Sequence, residues 1–412
     1  MARDPLAFPH TIYVSPWVRP MRARDPRESH RTATTLELLY DLCFVVAIAF
    51  AATQLHEGLA EAHFAQSVVA YVMVFFAIWW AWMNFTWFAS AYDTDDVPYR
   101  LKVFVQVAGV LILAAGVPSG FAAQDFRVIA IGYCVMRLGL VAQWLRAARA
   151  DADHRPTALR YAAGIVAVQA AWVALIFAAP KAWLMPGFLV LVAAELAVPF
   201  WGERVATTSW HPGHIAERYG LLTLIVIGES VLSTTAAVQA AVERSALSPE
   251  LVGIAIGGLM IFYSMWWVYF SAPEEHFLNS DLIGYRWGYG HYVIFASTAA
   301  VGAGLAVVAH HATHHDGHLT YWQAGLTVAV PLSLFVLSVW LIHLQYFRCS
   351  RLLTVGFGLA PIPLLLAGLT HHPVPIFGLV MATLVAMTTW LTARDCRPAF
   401  EAERTQATEP GV

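Results

Sequence analysis

Tyr71-Val72-Met73-Val74-Phe75-Phe76-Ala77-Ile78-Trp79-Trp80-Ala81-Trp82-Met83 is the centre of a run, residues 64–89, that carries no charged side chain. About 20 apolar helical residues cross a hydrocarbon layer of roughly 30 Å. The apolarity is continuous and does not alternate at every second residue, so the run reads as a membrane-spanning helix and not as a barrel strand. Eleven further runs of this kind lie at about 34–57, 101–122, 127–149, 159–179, 182–201, 214–241, 250–271, 287–310, 321–346, 352–370 and 374–393. Turn-like or charged breaks separate them, among them Asp151-Ala152-Asp153-His154-Arg155-Pro156, Ser248-Pro249-Glu250 and His372-Pro373. The narrowest break is Ala179-Pro180-Lys181, between the fifth and sixth runs.

Composition agrees. Of the 412 residues, 59% are hydrophobic and 12% charged, where soluble chains are about a quarter charged. Too few charges exist to coat two or three soluble domains. Disorder and nucleic-acid binding are excluded by the apolar content, the net charge of −3 and the scatter of the basic residues. The expected fold is an all-α integral membrane protein with twelve transmembrane helices.

Lys and Arg in short flanking loops set orientation. With twelve spans and both ends on one side, only Arg127, Lys181 and Arg244 of the 24 basic residues fall on the other side, and Arg137 lies inside a span. Both termini are therefore expected in the cytoplasm. Residues 1–33 contain no apolar run and read as a solvated basic arm rather than a cleaved signal peptide, with 396–412 a cytoplasmic tail. The four cysteines, Cys43, Cys134, Cys349 and Cys396, imply no disulfide framework and no metal site.

An ordered series of landmarks recurs in the two halves. Glu37 and Glu217 open the first and seventh spans, and Trp79-Trp80 answers to Trp266-Trp267. Asp95-Asp96-Val97-Pro98-Tyr99-Arg100 answers to Asp281-Leu282-Ile283-Gly284-Tyr285-Arg286, and Gln143-Trp144-Leu145-Arg146 to Gln345-Tyr346-Phe347-Arg348. This order predicts two parallel six-helix repeats, 34–201 and 202–395, with a pathway or pocket between them.

Ionisable groups at membrane depth cost roughly 2.5–3.5 kcal/mol on insertion scales, so each needs a partner or a water-filled cavity. Asp41, Arg137, Glu195 and Glu229 are the candidates for binding or coupling. Glu37 and Asp41, four apart, share one helix face, and Thr34-Thr35-Leu36-Glu37 also reads as a helix cap. Ion pairs Glu37–Arg100 and Glu217–Arg286 are expected to tie helices in the two halves. Arg137 is expected opposite Glu229 or Glu195, and Gly228 is expected to admit a close helix approach. The tryptophans Trp79, Trp80, Trp82 and Trp87, with Trp266 and Trp267, read as interfacial anchoring and packing. His310, His311, His314, His315 and His318 read as a surface loop, so no metal is expected, and no cofactor either. No Walker loop, dinucleotide fingerprint, His-Glu-x-x-His or Gly-x-Ser-x-Gly occurs.

Thr35-Leu36-Glu37-Leu38-Leu39-Tyr40-Asp41-Leu42-Cys43-Phe44, Trp79-Trp80-Ala81-Trp82-Met83-Asn84, Tyr92-Asp93-Thr94-Asp95-Asp96-Val97-Pro98-Tyr99-Arg100 and Gly228-Glu229-Ser230 resemble the bacterial low temperature requirement protein A family across about residues 32–395. One departure is Leu39-Tyr40-Asp41, where the family has Phe-Phe-Asp. The resemblance implies a multi-pass plasma-membrane protein named for a cold-growth phenotype. Leu39-Tyr40-Asp41 is also loosely similar to the Phe-Ser-Asp of potassium channels built from two six-helix repeats, although the seventh span has no matching Asp. The leading expectation is a secondary transporter or permease of a small solute or ion, with the bilayer as its other partner and no nucleic acid. A cation channel and a lipid-handling protein are the alternatives.

Orientation is testable with reporter fusions. Green fluorescent protein joined at either terminus or in the 151–156 loop is expected to fluoresce, and alkaline phosphatase after Lys181 or Arg244 to be active. The reverse pattern at either set would contradict the assignment.

Overall fold

The computed structural model describes residues 17–28, 31–245, 248–271, 278, 280–313, 318–343 and 350–396. Its elements are α1 (Thr35–Ala60), α2 (Phe64–Tyr92), α3 (Val97–Ala123), α4 (Arg127–Ala150), α5 (Arg155–Phe177), α6 (Leu184–Glu203), α7 (Pro212–Ser245), α8 (Pro249–Tyr269), α9 (Asp281–His311), α10 (Tyr321–Ile342), α11 (Arg351–Leu359), α12 (Pro361–Gly368) and α13 (Pro373–Leu391). No strand occurs among the described residues. A 3₁₀ turn, Lys181–Trp183, leads directly into α6, and α11 with α12 makes one span. Twelve helices among the described residues are thus long and apolar enough to cross a membrane.

Local chemistry explains where helices start and stop. α1 opens on a capping box: the Thr34 hydroxyl accepts the Glu37 N–H at 3.3 Å while the Glu37 carboxylate takes the Thr34 N–H at 2.7 Å. α3 begins at Val97, a turn before the apolar run, because Asp96 caps it by accepting the Tyr99 N–H at 2.9 Å. The eleventh span, expected as one helix, breaks at Ala360. Pro361 and Pro363 supply no backbone N–H to bond back across the joint, which divides the span in two.

The chain divides into two compact units with interleaved sequence. One is Met1–Ser29, Phe85–Gly109 and Ala130–His211; the other is His30–Asn84, Val110–Ile129 and Pro212–Val412. These units follow packing and do not share the boundary at 201–202 marked by the sequence landmarks, and the duplication remains a proposal.

In the first unit, Trp144 of α4 stacks flat on Tyr161 of α5, ring centres 4.2 Å apart, and Phe88 meets Trp144 edge-on. The Tyr161 hydroxyl donates to Glu203 at the end of α6 at 2.8 Å. Residues 17–28, though mostly exposed as expected of a solvated arm, are tethered to the unit. The Arg24 N–H donates to the Ala91 carbonyl at 2.9 Å, and the Arg19 N–H to Asp96 at 2.7 Å. Arg146 then clamps both, its guanidinium on the Asp96 carboxylate and on the Arg19 carbonyl at 2.7 Å. Sequence reading saw the positive charge of this segment and could not see the acids that receive it.

In the second unit α1, α7 and α9 pack mutually, α9 lies against α10, and α8 against α13. Glycine permits the tightest crossing, that of α10 with α12: a Cβ on Gly325 would stand 2.1 Å from the Gly368 carbonyl oxygen.

Asp96 makes the docking of the arm pH-dependent. Burial pushes its carboxyl up, but the Arg146 guanidinium and the Arg19 and Tyr99 N–H donors outweigh burial and hold it below the usual carboxylate range. A carboxyl depressed in the folded state stabilises fully above its unfolded value, about 3.9, and loses that contribution as pH falls through its lower folded value. At neutral pH the Asp96→Asn protein is expected to expose Arg19–Arg27 to trypsin about tenfold faster, as for loss of one charge-assisted hydrogen bond of roughly 1.5 kcal/mol. An unchanged cleavage rate would contradict the clamp.

Candidate functional site

The Thr34 cap places Glu37 in the first turn of α1 and Asp41 one turn later on the same face. Pro212 starts α7 and sets His214 and Arg218 on one face, again four residues apart. The two faces meet. Arg218 forks onto Asp41, Nη2 to Oδ1 at 2.6 Å and Nε to Oδ2 at 3.2 Å, and its Nη1 lies 3.0 Å from Glu37 Oε1. His214 Nε2 is 3.1 Å from the same Glu37 oxygen. The contacts at Glu37 Oε1 are close charge contacts and not aligned hydrogen bonds. The Trp82 indole N–H donates to Asp41 Oδ1 at 2.7 Å. Glu37, Asp41, His214, Arg218 and Trp82 all have 0% exposure.

Charge balance sets the chemistry of this group. Glu37 and Asp41 face Arg218 at hydrogen-bond distance. Around them Arg31 acts electrostatically on His214 and on Glu217, whose half-buried carboxylate accepts the Ala33 N–H at 2.9 Å. Three carboxylates and two guanidiniums are thus gathered beside the His214 imidazole.

An aromatic wall stands behind. The Tyr219 ring touches Trp82 at 4.8 Å, Trp287 at 4.6 Å and His291 at 4.8 Å. His291 Nδ1 lies 2.7 Å from the Trp287 carbonyl, which assigns the proton to Nδ1 and leaves Nε2 to accept from the Tyr269 hydroxyl at 2.9 Å. His343 Nε2 is 3.3 Å from the same nitrogen. His214, His291 and His343 were missed by the sequence reading. The available signal was their place within or beside spans, where an unpaired imidazole is costly.

The other candidates are distributed as follows. Arg137 pairs with Glu195 at 3.0 Å, both buried, and Tyr133 shares the guanidinium at 2.5 Å. Glu195 is therefore the partner of Arg137, because α4 and α6 carry these side chains within one unit. No hydrogen bond or ion pair reaches the Glu229 carboxylate among the described residues, and Oε2 is shut away from solvent. Gly228 has open space beside it, so the expected close approach is absent there. Arg100 is forked onto Asp95 at 2.8 Å, and Glu37 has Arg218, so each has a different partner from the one expected. Arg286 is exposed, and among the described residues no ion pair joins it to Glu217. Trp79, Trp80 and Trp82 are buried, in keeping with the packing part of their reading, and Trp82 also belongs to the site. His314 and His315 lie outside the described residues, and no group of three metal-ligating side chains occurs among those described.

A family model described as Bacterial low temperature requirement A protein (LtrA) matches residues 32–392. An uncharacterized protein of Rhizobium meliloti (strain 1021) is 27% identical over 248 residues, 58% of this chain and 58% of that protein. The chain thus spans a little under six tenths of the curated relative it matches. No solved structure matches.

Removing one member of a buried pair leaves the other charge uncompensated, at a cost of about 3–5 kcal/mol. Arg137→Met is therefore expected to lower thermal stability sharply, and Arg137→Met with Glu195→Gln to recover most of the loss. A double variant as unstable as the single one would contradict the pairing.

Proposed function

The chain belongs to the bacterial low temperature requirement A family of multi-pass membrane proteins, and from that premise we propose that it is a proton-coupled secondary carrier of a small solute in the bacterial inner membrane, both termini cytoplasmic. One observation carries the reading: Glu37, Asp41, His214 and Arg218 form a fully buried charge group where the first helix of each expected repeat meets the other. Ionisable groups at membrane depth are retained mainly where function uses them.

With His214 protonated the group is balanced and the ends of α1 and α7 stay clamped. Loss of that proton to water leaves an excess buried negative charge, which favours parting of the two ends and opens the site. Reclosure requires a proton again, so movement of solute and of protons is tied. Alternating access between two packed halves is the motion this coupling serves. Glu229, whose carboxylate meets no hydrogen bond or ion pair among the described residues, is the candidate contact for the solute. The channel reading receives less support, since both Asp41 oxygens are taken by Arg218 and Trp82 rather than facing a conduit.

Proteoliposomes with an internal pH dye, challenged with separate pools of amino acids, sugars, organic acids, polyamines and alkali cations, test this. One pool is expected to drive proton movement, and His214→Gln and Asp41→Asn each to reduce it about a hundredfold or more, as for loss of a positioned proton-transfer group. Steady currents that reverse at a cation's Nernst potential, without solute-dependent proton movement, would identify a channel and overturn the proposal.

A further inference from the structure

A cavity of about 720 Å³ lies in the second unit, at the end of α1 away from the charged group. Leu55 and Leu59 of α1, Val68 of α2, Ala300 of α9, and Leu326 and Val330 of α10 line it. Its size falls within the roughly 300–1,000 Å³ of built small-molecule sites.

Its walls are almost wholly apolar and offer little to a polar ligand. The Tyr71 hydroxyl donates to the Ala296 carbonyl at 2.7 Å, and the Tyr292 hydroxyl to the Val72 carbonyl at 2.8 Å, a reciprocal tie between α2 and α9. Ser297 donates to Ile294 and Thr327 to Ala324 in the same way. Every hydroxyl on the wall is thus bound to backbone, and the occupant that fits is hydrocarbon.

The cavity is continuous with the bilayer-facing surface. Val68, Val72, Val330 and Leu334, which form its open side, are each more than a third exposed on helices of membrane-spanning length. At its rim the α1–α2 turn, between the lining residues Leu59 and Phe64, carries exposed Glu61. No Lys or Arg occurs between Arg31 and Arg100, or between Arg286 and Arg348, the segments that supply α1, α2, α9 and α10. The charge at this rim is therefore carboxylate, with His63 3.4 Å from Glu61.

We propose that this cavity holds one acyl chain of an aminophospholipid, whose ammonium headgroup meets Glu61 at the rim. The carboxylate favours an ammonium-bearing headgroup over a glycerol headgroup of net negative charge. The lipid wedges between α1 and α10 and braces the outer end of the helix whose inner end carries Glu37 and Asp41. This assignment stands on the cavity and its rim and does not require the carrier reading.

Native mass spectrometry of the purified chain, equilibrated with equal amounts of phosphatidylethanolamine and phosphatidylglycerol of matched acyl chains, tests it. One retained phosphatidylethanolamine per chain is expected, enriched about fivefold, the factor for one exposed ammonium–carboxylate contact near 1 kcal/mol. Glu61→Gln, at the surface, is expected to abolish the enrichment and keep the lipid. Ala300→Phe, and separately Val330→Phe on the open side, is expected to remove either lipid. Equal retention of the two lipids by the natural chain, retention unchanged in both Phe variants, or a retained mass that is not a phospholipid would each overturn the proposal.

Discussion

A single guanidinium organises the end of the second unit where α1 and α7 begin. Arg218 reaches Glu37 and Asp41 on α1 from α7, and no other side chain among the described residues joins these acids by a bidentate fork. Two acids one turn apart repel, so α1 needs this cation to bury that face at all. The Trp82 donor adds a second bond to Asp41 Oδ1, and the Thr34 cap satisfies Glu37 Oε2. Each of these bonds also orients a carboxylate, and so the charge group is positioned as well as neutralised. The aromatic wall of Tyr219, Trp287 and His291 excludes water behind it, which strengthens every charge interaction in front.

α1 carries two different environments along its length. Its first two turns are polar and paired, while Leu55 and Leu59 near its far end face an apolar cavity. A rigid helix links them, so displacement at one end is felt at the other. α9 runs beside it and repeats the contrast, with His291 within the buried imidazole pair and Ala300 on the cavity wall. Small residues let these helices come together. The first unit is held by other means: flat stacking of Trp144 on Tyr161, the Arg137–Glu195 pair, and the arm clamped by Arg146.

Much of this fold was legible in the sequence, because hydrocarbon thickness imposes a run length that residues announce directly. The expected runs and the observed helices differ mainly at polar ends, as at Val97 and Asp281, where the helix continues beyond hydrocarbon. The break at Ala360 was readable from Pro361 and Pro363 had their missing donors been weighed. Pairing was the harder problem. Asp41 and Glu37 were identified as charges in need of a cation, but any of several arginines satisfied the arithmetic, and only the neighbourhood of α1 and α7 selects Arg218. Glu195 and Arg137 were both named, and their partnership required knowing that α4 and α6 belong to one unit. Trp82 was hidden among look-alike tryptophans, and its distinguishing bond to Asp41 is a tertiary fact. His291 and His343 were hidden by their ordinary neighbours.

The central claim is that Asp41 and Arg218 form one energetic unit across the α1–α7 contact. A double-mutant cycle on thermal unfolding in micelles, with Asp41→Asn, Arg218→Gln and their combination, measures it directly. The account predicts a coupling of about 1–3 kcal/mol, with the double variant more stable than the sum of the single losses allows. Strictly additive losses would show that the two side chains act independently, and would contradict it.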